Sequence, residues 1–279
     1  MKVASLHIHP VKSMRALDVD RAGIETRGLV GDRRWLVTDG ESGFLTQRTC
    51  SVLAKIDAVY EGAALRLSDG ETECVVDPPA GGDRRQVTVW KDQVSAAAAG
   101  QGASDWLCGV LDRAVRLFYM DDDSRRMTSG NWGNTRPVSF ADGYPLLVTT
   151  TASLAALNEA IVANGGEGVS MACFRPNIVI DGADPWAEDF WKVIRIGGVE
   201  IELLKPCDRC VVTTLDPATG EKLGREPLKT LNMLRRSAHS DLSGAVLFGW
   251  NAAPLGEGVL AVGDAVEIIE RRPEGWPLA

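Results

Sequence analysis

Hydrophobic positions along this chain mostly alternate over short stretches, and turn residues interrupt them every few positions. Val3 to His9 alternates and predicts a strand. His9-Pro10 ends it, and a loop follows at Val11-Lys12-Ser13. Leu17 to Glu25 predicts a second strand. Gly28 to Arg34 reads as a turn that feeds the apolar strand Trp35 to Thr38, closed by the turn signal Asp39-Gly40. Phe44-Leu45-Thr46-Gln47 is expected to continue the sheet. Further short strands are expected at 56–60, 65–67, 74–76 and 87–90, with turn clusters such as Pro78-Pro79-Ala80-Gly81-Gly82 between them.

The period changes twice. Trp106, Leu107, Val110, Leu111, Val115 and Leu117 predict an amphipathic helix over 104–118, with Ser104 as its N-cap. Leu154, Leu157 and Ile161 predict another over 153–163, stopped by Gly165-Gly166. Asp121 to Arg136 is polar and predicts a linker or loop. Leu146 to Thr149 and Asn177 to Ile180 read as strands. Hairpins are expected at 193–204, around Gly197-Gly198, and at 259–269, around Gly263-Asp264. Cys207 falls just past the first hairpin. The β-branched run Val211-Val212-Thr213-Thr214 predicts extended chain. Strands with a few helices in no strict alternation argue for an α+β, β-rich, barrel-like fold and against a Rossmann sheet.

Composition narrows the function. The 279 residues make one large domain or two small ones. Thirty basic against thirty-eight acidic residues leave a formal charge of −8, which disfavours general nucleic-acid binding while allowing a local basic pocket. No apolar run is long enough for a membrane helix, and the start does not read as a signal peptide, so a cytoplasmic chain is expected. Six cysteines in a chain this long are not a disulfide scaffold.

Cys207-Asp208-Arg209-Cys210 is the sharpest chemical signal, and four readings of it stay open. A structural zinc site needs four ligands, but there is no second CxxC and only His7, His9 and His239. A thioredoxin-like pair should open a helix, which Val-Val-Thr-Thr disfavours. A single cysteine could bind a sulfur-loving cofactor metal, with Arg209 holding an anion or the thiolate. Both cysteines could instead be structural. Phe174-Arg175-Pro176-Asn177 is the second signal. The proline should hold Arg175 extended, and Arg175 and Asn177 would then share a face suited to an anion and a polar ring edge. Lys12 and Arg33 matter only if they converge with Arg175. Nucleotide-phosphate loops, HExxH, GxSxG and the cysteine run of an iron–sulfur cluster are absent.

Pro10-Val11-Lys12-Ser13, Gly31-Asp32-Arg33-Arg34-Trp35, Phe174-Arg175-Pro176-Asn177-Ile178-Val179 and the long run from Cys207 through Asp216-Pro217-Ala218-Thr219-Gly220 occur in that order. Together they resemble the MOSC proteins, named for the C-terminal domain of molybdenum cofactor sulfurase. The nearer resemblance is to members with an N-terminal β-barrel region, such as the amidoxime-reducing component and its bacterial relatives. The resemblance implies a MOSC-type β-barrel with an inserted N-terminal β-rich subdomain and a few helices. Residues 1–125 would form the N-terminal region and 126–279 the MOSC domain. The first strands would join the MOSC barrel, with 36–125 as the insertion.

It also implies a molybdenum–molybdopterin cofactor, with Cys210 as catalytic residue and metal ligand and Cys207 structural or nearby. Lys12, Ser13, Arg33, Arg175, Asn177, Asp208 and Arg209 fall on cofactor-contact positions. Gly143 and Tyr144 fall on a further contact segment whose expected residue types are Thr-Ser, so only backbone contacts carry over there. The implied activity is reduction of N-hydroxylated compounds, small-molecule substrates that lose oxygen. No membrane anchor and no C-terminal ferredoxin-like domain is expected, so electrons would come from a separate ferredoxin- or cytochrome-type donor. A non-catalytic carrier of the cofactor, or of sulfur as a Cys210 persulfide, is the alternative; no lysine motif supports pyridoxal phosphate.

Overall fold

Short alternating segments become strands here because each can bury one face, and the apolar runs bury two. The structure is a computed structural model that describes residues 1–40 and 43–279. The strands are β1 (Lys2–Ile8), β2 (Leu17–Val19), β3 (Arg21–Glu25), β4 (Gly28–Leu29), β5 (Trp35–Asp39), β6 (Asp57–Glu61), β7 (Ala64–Ser68), β8 (Glu73–Val76), β9 (Arg84–Val89) and β10 (Asp92–Ala98). They continue as β11 (Val115–Tyr119), β12 (Leu146–Thr150), β13 (Ile178–Asp181), β14 (Trp191–Ile196), β15 (Val199–Asp208), β16 (Leu247–Pro254), β17 (Gly258–Ala261) and β18 (Val266–Arg271). The helices are α1 (Gln101–Leu111), α2 (Thr151–Ala163) and α3 (Leu228–Leu234). This is a β-rich α+β fold.

An eight-stranded sheet runs β18-β14-β15-β16-β12-β13-β1-β2. β12 and β13 are parallel, and α2 makes the crossover between them. The first strand therefore pairs with residues far along the chain, Leu6 opposite Ile178. β3 likewise pairs with β17. The core of this sheet holds Leu6, Ile178, Ile194, Trp191 and Trp250. A second sheet, β5-β11-β10-β9, has β5 buried on both faces: Trp35 and Val37 join a core with Leu53, Leu65 and Leu107, while Leu36 faces Val87, Phe118 and Phe140. That explains the unbroken apolar run at this position.

Several expectations are corrected. The helix expected over 104–118 ends at Leu111, because Asp112 turns left-handed and its N–H caps Cys108. Val115–Tyr119 is instead a strand between β5 and β10. The N-cap is Gly100, and Ser104 lies buried inside the helix. Leu17–Glu25 divides into two strands that belong to different sheets. Phe44 makes one bridge to Thr38, and Thr46 begins a turn rather than more sheet. The segment 259–269 is no hairpin: β17 pairs with β3, and β18 with β14. β15 runs through Cys207. Val211–Thr214 is a 3-10 turn, because the Thr213 and Thr214 hydroxyls donate to the carbonyls of Cys210 and Val211.

One buried acid gives a stability prediction. Glu188 is 1% exposed, and its Oε2 accepts from Ser153 Oγ at 2.9 Å beside the N-terminus of α2. Burial pushes its carboxyl up to about 7, against the pull of Ser153. An unfolded glutamate titrates near about 4.3. The folded chain therefore holds an extra proton between these values, and stability falls as pH rises through that window. Glu188→Gln should melt higher than the wild type at pH 8 and by much less at pH 5. Thermal unfolding at both values checks this; an equal shift at both would remove the titration argument.

Candidate functional site

Strand register gathers the chemistry at one end of the large sheet. Leu6 pairs with Ile178, so the end of β1 lies beside the start of β13. Val148 pairs with the same Ile178, which adds the start of β12. β16 links β12 to β15, with Leu146 opposite Ala252 and Pro206 opposite Trp250. The loops leaving β1, entering β12 and entering β13 therefore share one edge, and the chain leaving β15, reached across β16, lines the cleft at that edge. These four segments carry Lys12, Gly143, Arg175 and Cys210 respectively.

All ten residues expected at a site line one cleft there, which encloses ≈ 860 Å³ of space, its open mouth included. Lys12 is 5% exposed, and its ammonium donates to Asp142. Burial lowers the Lys12 ammonium from its ordinary range, and Asp142 partly restores it. Arg33 has φ +49°, held by its N–H on the His9 carbonyl at 2.7 Å. Its Nη1 donates to Asp32 Oδ2 at 2.6 Å and to Asn177 Oδ1 at 3.2 Å. Asn177 is buried, and its Nδ2 donates to the His7 carbonyl. Its amide thus holds Arg33 rather than presenting a free edge.

Arg175 is not extended. Its φ is +54°, because it closes the 3-10 turn Met171–Phe174 by donating its N–H to Ala172. It and Asn177 still line the cleft together, from a cap and a strand start instead of one strand face. Burial, then Arg33, push its guanidinium down to about 9. Arg209 Nη1 donates to Cys207 Sγ at 2.9 Å and Nη2 to the Phe174 carbonyl at 2.5 Å. Burial pushes the Cys207 thiol up, against Arg209. Asp208 lies exposed at the rim and pairs with Lys205 at 3.3 Å. Ser13 (φ +70°) offers its carbonyl to Gln47, and a Cβ on Gly143 would meet nothing, so no close approach requires glycine there.

Three side chains of this region were not legible in the sequence. Arg48 Nη2 donates to Cys210 Sγ at 3.1 Å. It arrives on the turn after Leu45, and Gly220 makes this approach feasible: at φ +71°, a Cβ would lie 2.2 Å from the Ser51 carbonyl oxygen. Asp142 anchors Lys12. Arg126 is buried in the stretch expected to be a linker and donates to the carbonyls of Ser139, Ala141 and Asp142, fixing the loop that carries Asp142. No spacing or motif marked any of them.

A model of the MOSC domain matches residues 135–267, and one of the MOSC N-terminal beta barrel domain matches residues 1–114. Mitochondrial amidoxime-reducing component 1 of Mus musculus is 33% identical over 282 residues, covering 96% of this chain and 82% of that protein. Component 1 of Homo sapiens is 32% identical with the same coverage, and component 2 of Homo sapiens is 32% identical over 279 residues, 95% of this chain and 82% of that protein. The chain belongs to the MOSC family.

MOSC domains are associated with binding of the molybdenum cofactor, and the cleft can be tested for fit. Lys12, Arg33, Arg48, Arg175 and Arg209 face it against the carboxylates of Asp142 and Asp208, five cations to two acids. Arg175 Nη2 and Arg209 Nε are buried with no partner among the described residues. Both features suit an anionic group. Among the described residues no three His, Cys, Asp or Glu side chains gather as metal ligands, so a metal at Cys210 must bring its other ligands with it. That also removes the donors a structural zinc site needs. The residues present fit a metal–pterin phosphate. Among the described residues no helix is long and apolar enough to cross a membrane. The amidoxime-reducing relatives are named as mitochondrial, so a cytoplasmic location is not carried over from them.

Proposed function

We propose that this MOSC protein holds a molybdenum–pterin cofactor in the cleft, with Cys210 as its ligand to the metal, and reduces N-hydroxylated compounds. A thiol and an unbalanced group of cations around one cleft carry the reading. The amidoxime-reducing names belong to relatives about 30% identical, and they supply the reaction class. Bound, the group would supply a two-electron centre for reducing an N–OH to N–H, with two electrons and two protons consumed and the oxygen released as water. The electrons come from a separate donor protein of ferredoxin or cytochrome type.

The chain's own residues do the placing. Lys12, Arg33 and Arg175 neutralise the phosphate, and Asn177 and Asp32 fix the Arg33 guanidinium by hydrogen bonds. Asp142 restores part of the positive charge that burial takes from Lys12. Arg48 directs an N–H at the Cys210 sulfur, and Arg209 directs one at Cys207. These contacts give the two cysteines different surroundings. After expression in cells that make the cofactor, elemental mass spectrometry should find near one molybdenum per chain. The loaded protein should then reduce benzamidoxime with a supplied chemical reductant. Bound molybdenum without turnover would favour a cofactor carrier, and a Cys210 persulfide without molybdenum a sulfur carrier.

A further inference from the structure

The surface beside Cys210 holds apolar side chains in water. Val211, the next residue, is 45% exposed. The chain then folds back on itself: Leu215 bridges Lys222, and the Leu223 N–H donates to the Thr214 carbonyl at 2.9 Å. Val211–Thr214 is the 3-10 turn, and such a turn rises about 2 Å per residue, so Thr214 lies about 8 Å along the chain from Cys210. Leu223, held beside it, is 62% exposed. Gly220, in the same fold-back, packs on the Ser51 carbonyl and so adds the exposed Val52. α3 also packs against the 3-10 turn.

Charge in these segments has the opposite sign to the chain. Arg48, Lys55, Lys222, Arg225 and Lys229 are all exposed. Asp216, Glu221 and Glu226 oppose them. Asp216 is engaged by the N–H groups of Ala218 and Thr219, and Glu226 by the Thr230 N–H and by Lys229 at 3.9 Å. Lys55, Lys222 and Arg225 have no ion-pair partner among the described residues. The local balance is five cations to three acids, on a chain of formal charge −8. An acidic protein is repelled by the chain as a whole and attracted here, so the field itself selects the face.

We infer that this face, Val52, Val211 and Leu223 with the cations beside them, is where an acidic electron-transfer protein docks. The inference rests on the reductase reading above. A one-electron carrier must visit twice for each N–OH reduced, giving up one electron and leaving oxidised each time. Its complex must therefore be short-lived. A few apolar side chains for contact and a charged surround for encounter suit such a complex, because transient redox interfaces are small. The face continues the cleft mouth, since Arg48 belongs to both and donates to the Cys210 sulfur.

The test supplies electrons to molybdenum-loaded protein in two ways: dithionite with methyl viologen, or a reduced acidic [2Fe–2S] ferredoxin. The double variant Lys222→Glu, Arg225→Glu should lower kcat/KM for the ferredoxin about tenfold at about 20 mM salt, and less than about twofold at about 300 mM, where charges are screened. Leu223→Ser should lower it at both. Melting temperature, molybdenum content and turnover with the chemical reductant should stay at wild-type values in all of these. Lys2→Glu, at the far end of β1 from the cleft, should change neither turnover. Equal loss with both reductants, equal loss in Lys2→Glu, or no loss at all would overturn the inference. Binding of oxidised ferredoxin to the cofactor-free protein reads the face without turnover. Binding that the double variant weakens about tenfold supports it. Unweakened binding, none by the wild type, or a preference for phosphatidylserine vesicles over ferredoxin overturns it. If the wild type turns over with neither reductant, the reductase reading fails, and the ferredoxin binding result decides the face by itself.

Discussion

Replacing Cys210 by serine should strip the protein of molybdenum and abolish reduction while leaving its melting temperature unchanged. The side chain is half-buried, and its recorded contact is the N–H of Arg48. A serine oxygen accepts that hydrogen bond equally well. The backbone role of residue 210, accepting from Thr213 in the following turn, survives the change. A hydroxyl, however, is a poor ligand for a sulfur-loving metal. The described residues offer no cluster of other donors to take the thiol's place, so only the ligands the metal brings with it remain. Molybdenum content should fall more than about tenfold, beyond the loss usual for a group that merely supports a ligand. Cys207→Ser is the control. Burial holds the Cys207 thiol protonated and Arg209 already engages it. That variant should keep most of its metal. Equal metal in Cys210→Ser and the wild type would end the ligand assignment.

Much of this architecture could be read from the chain, and the failures have physical causes. Period-two segments such as 65–67 and the 193–204 hairpin form where expected, because alternation and Gly197-Gly198 act locally. The errors came where tertiary partners or side-chain hydrogen bonds decided the outcome. Val115–Tyr119 has helix-compatible spacing, yet two neighbouring strands claim its backbone. Val211–Thr214 is β-branched, yet its threonines bond back to preceding carbonyls. Eight of the ten candidate residues lie in motifs and Gly143 and Tyr144 follow from the resemblance alone, and the fold brings all ten to one cleft, in part by register between strands over a hundred residues apart. Arg48, Asp142 and Arg126 carried no motif. Their roles depend on contacts such as Arg48 with Cys210, which no spacing encodes.

Arg175→Met should move two measured quantities in opposite directions. In the cofactor-free protein the Arg175 cation is unfavourable: burial and the like charge of Arg33 both push its guanidinium down, and Nη2 has no partner among the described residues. Methionine is unbranched, of similar reach and uncharged. It keeps the backbone contacts that close the turn before it, the N–H on Ala172 and the carbonyl that accepts from Arg33. The cofactor-free variant should therefore melt higher than the wild type by about 2–4 °C, the shift that about 1 kcal/mol gives a chain of this size. Molybdenum retention should fall roughly tenfold or more, because a charge-assisted hydrogen bond to phosphate contributes about 1.5–3 kcal/mol. Inorganic phosphate offers the cleft the same chemistry. It should raise the melting temperature of the cofactor-free wild type by mass action and that of the variant less. A lower melting temperature in the variant would make Arg175 a structural cation. Unchanged molybdenum would remove it from the cofactor's contacts. Higher stability with less metal is the result expected of a charge placed for an anion that the folded chain alone does not contain.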